Sequence, residues 1–163
     1  MVRWLMAAMV ALVASLSPAL AQETPDAFVQ RIYATQFPGG NMNGPSILDV
    51  ERRKLFFTSA IVAAMKRDDQ RSEASGEMGS LGFDPISNSQ DPQVSDVKVR
   101  IESQTGDRAT VIANFANGGS SREEIAYDLI VQGDGWKILD IRSSVAEAEW
   151  SLRKIFGLGP PKL

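Results

Sequence analysis

Val94-Ser95-Asp96-Val97-Lys98-Val99-Arg100-Ile101-Glu102 opens the stretch, running to Arg142, whose reading decides the fold. Three more runs follow it, Arg108–Ala116, Glu123–Gln132 and Trp136–Arg142, each of strand length and rich in β-branched or aromatic residues. Between them lie Thr105-Gly106-Asp107, Asn117-Gly118-Gly119 and Gly133-Asp134-Gly135, whose glycines allow the positive φ of tight hairpins. The pattern predicts an antiparallel meander. In the first run Val97, Val99 and Ile101 alternate with Lys98, Arg100 and Glu102, so one face is expected to be buried and one wet. Further on, Ala109, Val111, Ala113 and Phe115 share a face, as do Ile125, Tyr127, Leu129 and Val131. Ile112, Ile130, Leu139 and Ile141 place apolar groups on the opposite face, which predicts packing on both sides of the sheet's second half.

Upstream of the sheet the period changes to that of helices. Thr24-Pro25-Asp26 combines an N-cap, a first-position proline and an acid in the first turn. Phe28, Ile32, Tyr33 and Phe37 continue as an apolar stripe, which Pro38-Gly39-Gly40 ends. Ile47–Ser75 reads as helical with a break near Thr58, whose hydroxyl is expected to cap the second piece. Leu48, Leu55 and Phe56 belong to the first piece, and Ile61, Val62, Ala64 and Met65 to the second. Arg52-Arg53-Lys54 and the mixed run Lys66–Arg71 are expected to be solvated helix surface. Downstream, Ser144-Val145-Ala146-Glu147 is a capping box, opening a helix through Ala148, Leu152 and Ile155 to about Phe156, with Gly157 as its stop. The expected architecture is therefore α+β: N-terminal helices packed on a curved antiparallel four-stranded meander, with a C-terminal helix, in a single domain over 22–157. Residues 158–163 are expected to be a flexible tail.

The first residues read as an address. Met1-Val2-Arg3 is a short basic segment, Trp4–Leu16 is apolar, and Ala19-Leu20-Ala21 is a small-residue cleavage site, so residues 1–21 are expected to be a secretory signal peptide and the protein to be periplasmic or secreted. The apolar run is too short for a membrane span and is interrupted by Ser15, Ser17 and Pro18, so no span is expected after cleavage. With 17 basic and 20 acidic residues in 163, and the basic ones scattered, nucleic acid is not an expected partner. The chain contains no cysteine, so its stability rests on packing rather than disulfides. It contains no histidine either, which removes histidine-based triads, histidine metal sites and imidazole pH switches. No cofactor and no metal are expected.

Phe83-Asp84-Pro85-Ile86, then Gln90-Asp91, paired strands and a closing Gly135-Trp136-Lys137-Ile138-Leu139-Asp140-Ile141 resemble the domain of unknown function 3828 family, an exported bacterial group similar to the nuclear-transport-factor-2-like (cystatin-like) fold. The resemblance runs from about Ala27 to Arg142. It implies a cone with a pocket between helices and sheet, often in a dimer, and no agreed activity.

Two groups of polar residues are the candidates for function. At a pocket mouth Asp84, Gln90 and Asp91, with Tyr33, Tyr127 and Trp136, could hold a ligand, and paired carboxylates could act as acid and base or hold a cation. As residues preceding Pro85 and Pro92, Asp84 and Asp91 are equally turn formers that accept backbone amides, the commoner use. Asp140 and Arg142 lie two apart on one strand and so share a face, where Asp128 and Tyr127 are expected to approach. The enzymes of the resembled superfamily make Asp128, Asp140 and Arg142 an alternative catalytic set for hydrolysis or isomerisation, against an ion pair on a sheet face. The leading expectation is a non-catalytic module that binds a small apolar ligand, an envelope protein such as the partner of an immunity protein, or a second copy of itself. The acidic balance would suit a basic partner.

Overall fold

The computed structural model describes residues 22–119, 122–143 and 149–161. The expected signal segment and residues 144–148, which hold the capping box, lie outside them. Helix α1 (Pro25–Gln36) leads through a 3-10 turn at Pro38–Gly40 to α2 (Arg53–Phe56) and α3 (Ser59–Ser75). Then come β1 (Val94–Thr105), β2 (Arg108–Asn117), β3 (Arg122–Gln132), β4 (Gly135–Ser143), β5 (Trp150–Ser151) and α4 (Leu152–Ile155). The sheet is antiparallel in the order β1-β2-β3-β4-β5, five strands where four were expected. The fifth is Trp150–Ser151, which had been assigned to the C-terminal helix; pairing with Arg142 and Ser143 holds it extended, and only the short α4 follows.

Strand register sorts the side chains into two layers. Val111, Tyr127 and Ile141 lie in one row across β2, β3 and β4, and Ala113, Ile125 and Ser143 in the next. These rows face α1, whose Phe28, Val29, Ile32 and Tyr33 are all buried against the sheet together with Phe57, Ile61 and Ile86. Ile141 had been expected on the opposite face. A bulge at Leu139 explains the change, because Asp128 pairs with Asp140 while Leu129 pairs with Ile138, and the extra residue returns Ile141 to the core. Ile112 and Ile130 do lie on the other side, in register with Ala126 and Arg108.

Strand β1 is less buried than its alternation predicts. Val97 and Val99 are half-buried and Ile101 is 40% exposed on this edge strand, which pairs with β2 alone. Irregularities between Ser95 and Lys98, where Asp96 has φ 50°, and between Ile101 and Ser103 interrupt its pairing with β2.

The helices depart from expectation mainly around α2. Residues 47–52 form turns rather than helix, and Leu55 is exposed while Phe56 is buried. Thr58 stands at the N-cap of α3, but its hydroxyl accepts no amide and is buried without a partner. Its backbone N–H instead donates to the Ile138 carbonyl at 3.1 Å, and Phe57 bridges Ile138, so the chain entering α3 is fixed to β4 and not by a cap. The basic and mixed-charge runs are tied down as well. Arg53 pairs with Asp69 and donates to the Leu48 carbonyl at 2.7 Å, and the Arg52 guanidinium lies 5.4 Å from the centre of the Phe56 ring. Gly157 has φ 67° and ends α4, but the tail is not free there: Leu158 N–H donates to the Arg153 carbonyl at 2.7 Å, and Arg153 Nε to the Gly159 carbonyl at 2.8 Å. Among the described residues no helix is long and apolar enough to cross a membrane.

Candidate functional site

The expected pocket between helices and sheet is occupied by side chains. Asp84 is buried, and its carboxylate accepts from Ser87 Oγ at 2.7 Å, Ser87 N at 3.1 Å, Ile86 N at 3.4 Å and Gln36 Nε2 at 3.2 Å. Gln36, the last residue of α1, is fully buried and uses its Oε1 to accept from Ile47 N at 3.2 Å. One Asp84 side chain thus fastens its own turn and, through Gln36, the loop after α1. The turn in turn receives the tyrosines: Tyr33 donates to the Ile86 carbonyl at 2.9 Å, and Tyr127 donates to the Tyr33 oxygen at 3.0 Å. The Tyr33 ring sits 5.3 Å from that of Phe115 and meets Tyr127 edge-on at 6.3 Å.

Electrostatics agrees with a structural role for this cluster. Burial pushes the Asp84 carboxyl up, and the bonds from Ser87, Ile86 and Gln36 offset only part of that rise. Burial likewise drives both phenols well up, so Tyr33 and Tyr127 stay protonated and act as hydrogen-bond donors.

The remaining members of the expected pocket are elsewhere. Gln90 is exposed and donates to the Gly82 carbonyl at 2.8 Å; Asp91 is exposed, and only its backbone N–H is engaged, with Ser89 Oγ at 3.1 Å. Trp136 is buried and donates to the Glu23 carbonyl at 2.8 Å, just ahead of α1, whereas Asp84 lies against its last residue. The structure therefore unites Asp84, Tyr33 and Tyr127 and separates Gln90, Asp91 and Trp136 from them. Gln36 was missed by sequence reasoning. Its position four residues after Ile32 puts a polar side chain on an otherwise apolar stripe, and that was the available signal.

Asp128, Asp140 and Arg142 do share a face, the one turned away from α1, while Tyr127 points to the other and does not join them. Arg142 Nε meets Asp128 Oδ2 at 3.1 Å, and Thr110 Oγ1 donates to Asp128 Oδ1 at 2.9 Å. Asp140 accepts from Ser151 Oγ at 2.6 Å and Arg153 N at 3.0 Å, which fastens β5 and the start of α4 to β4. Burial raises the Asp140 carboxyl despite these bonds, with the nearby Asp128 charge adding to the rise. The bond to Asp128 raises the Arg142 guanidinium. All four carboxylate oxygens have protein partners.

Open space lies on the outer surface. A hollow of about 420 Å³ separates Arg67, Asp68 and Arg71 of α3 from Ile155 and Phe156. Burial pushes the Asp68 carboxyl up, but the Ser80 hydroxyl and amide and the Arg71 guanidinium outweigh this and hold it below the usual carboxylate range. Asp68 thus pins the Gly79-Ser80 loop to α3. A second hollow, of about 480 Å³, is lined by the buried Phe57, the half-buried Val62 and the exposed Ala63 together with Lys54, Lys66 and Lys137. Among the described residues no group of three or more histidine, cysteine, aspartate or glutamate side chains could hold a metal ion.

The fold is that of an α+β domain with helices laid against one face of a five-stranded antiparallel sheet. No family model matches the sequence, and no curated protein matches it. Among solved structures, the chain is similar to a chain of the type VI native effector-immunity complex Tae3-Tai3 from Ralstonia pickettii, at a TM-score of 0.53 and 19% identity, over 77% of this chain and 98% of that one. The likeness is one of fold.

Proposed function

We propose that this chain is an exported protein-binding module of the effector-immunity kind, carried across the inner membrane by residues 1–21 and acting in the envelope by capping a protein partner. The observation that carries this reading is the filled interior. In a nuclear-transport-factor-2-like cone the space between helices and sheet would house a substrate; here Tyr33, Tyr127, Phe115 and Asp84 are buried there, Tyr127 bonding to Tyr33, Tyr33 to the Ile86 carbonyl, the Tyr33 ring meeting Phe115, and Asp84 holding the Ile86-Ser87 turn. Function then falls to the outside of the molecule. The resemblance of fold to a chain of an effector-immunity complex supports the same reading. On the sheet face turned away from α1, Arg100 near Glu124 at 3.9 Å and Arg142 on Asp128 form a surface of paired charges suited to orienting a partner.

The test begins with the exported, purified chain as bait against envelope proteins of its host and of competing strains. Any captured protein is then made separately and titrated by calorimetry. A 1:1 complex with Kd below about 1 μM, and restored growth when the partner is toxic, support the proposal. A chain that retains a small molecule in native mass spectrometry and forms no complex with any protein overturns it.

A further inference from the structure

The hollow beside α3 combines two properties that point to one class of ligand. Val62, Ala63 and Lys66 succeed Ser59 at helical spacings of three, four and seven, so one face of α3 forms a wall with an apolar middle and a charged end. The buried ring of Phe57 forms the floor. Across the hollow, Lys137 Nζ donates to the carbonyls of Lys54 and Leu55 at 3.1 and 2.7 Å, which fixes its ammonium in place with its third N–H still to give. Lys54, Lys66 and Lys137 form no ion pair with a described carboxylate. In a chain with net charge −3, three cations without acidic partners around one apolar depression are a local reversal of the average.

We infer that this hollow binds a small anionic amphiphile, an acyl chain ending in a carboxylate. The chain would lie on Phe57, Val62 and Ala63 and the head group among the three ammonium groups. The volume of about 480 Å³ is in the range of small-molecule sites. This site is independent of the protein-binding reading above.

The experiment is a titration of the exported, purified chain with dodecanoate, followed by amide shifts in two-dimensional NMR, with dodecyltrimethylammonium and dodecyl maltoside as matched probes. Saturable 1:1 binding of dodecanoate below about 1 mM is expected, with shifts centred on Val62, Ala63, Lys66 and Lys137. The cationic and neutral probes should bind at least about tenfold more weakly, and the double variant Lys54→Gln, Lys66→Gln should lose about tenfold in dodecanoate affinity. Both lysines are exposed, so the melting temperature of that variant should match the parent. A third variant, Ala63→Glu, should abolish binding while leaving the fold intact. Equal affinity for the three probes, or shifts centred elsewhere on the molecule, would overturn the inference. Unchanged affinity in the double variant would overturn the role of the lysines and, with it, the ligand class.

Discussion

Replacing Asp84 by alanine removes the acceptor of four hydrogen bonds at once. The Ser87 hydroxyl can turn to the Asp84 carbonyl, 3.5 Å away, and the 3.4 Å contact from Ile86 is weak at the start. Two buried donors then lose their acceptor: the Ser87 amide, and Gln36 Nε2, whose other neighbour is the Met42 sulfur at 3.7 Å. Each unsatisfied donor costs about 1–3 kcal/mol. Loss of a carboxyl whose charge is disfavoured by burial returns part of that sum. The expected destabilisation is about 2–4 kcal/mol, or roughly 6–12 °C in Tm for a domain of this size. Asp91→Ala, which removes an exposed side chain with no bond, should stay within about 0.5 kcal/mol. The assay is urea and thermal unfolding by circular dichroism. Its pH arm has a defined sign. Because the folded-state carboxyl is raised, the folded chain takes up a proton before the unfolded chain does, so Asp84 gains stabilising effect as pH falls from its folded value toward the unfolded value near 4. The gap between parent and Asp84→Ala should therefore widen on mild acidification. Equal melts for the two alanine variants, or a gap that narrows, would refute the reasoning.

Tyr33→Phe should cost about 2 kcal/mol and Tyr127→Phe about 1 kcal/mol in urea unfolding, because Tyr33 is both acceptor for Tyr127 and donor to Ile86, whereas Tyr127 only donates. Gly44→Ala should be among the most damaging single changes: its Cβ would lie 1.8 Å from the Thr35 carbonyl oxygen, and a loss of at least about 3 kcal/mol, or failure to accumulate folded protein, is expected. Asp140→Ala should speed hydrogen exchange at Arg153 by freeing β5 and α4 from β4, whereas Arg142→Ala, which breaks a half-exposed pair, should shift stability by no more than about 1 kcal/mol.

The meander was legible because its signals are local: the hairpin glycines take the positive φ that the sequence demands, at Gly106, Gly118 and Gly133, and the strand ends fall within a few residues of the β-type runs. What local signals do not carry is register. The Leu139 bulge moves Ile141 across the sheet, and alternation alone does not reveal an inserted residue. Fragments pinned by distant partners were misread for a related reason. Thr58 has the sequence of a cap, yet its amide is claimed by Ile138, eighty residues on; Trp150-Ser151 directly precedes the helical Leu152–Ile155, yet β4 offers it a free edge. For the candidate site, sequence singled out Asp84 and placed Asp128, Asp140 and Arg142 on a common face. It did not separate Asp84 from Asp91, since both precede proline and only the fold decides which one meets Gln36.

The two surfaces on which the proposals rest differ enough in chemistry to be separated by mutation. On the sheet face turned away from α1, cations and anions alternate across strands, as in Arg100 with Glu124 and Arg142 with Asp128, so net charge is low and complementarity must come from pattern. The hollow at α3 has one sign of charge and an apolar base. A protein partner that uses the sheet face should lose association rate when Arg100 is changed to glutamate, with a steep response to salt, and should be indifferent to Lys54→Gln, Lys66→Gln. Arg100 is exposed, so this change leaves the core untouched. Stopped-flow association at two ionic strengths distinguishes the cases. If the lysine variant slows association and Arg100→Glu does not, the partner docks at the hollow, and the sheet's charges are what β-sheets commonly carry on a solvent face: pairs that set register and contribute little to binding.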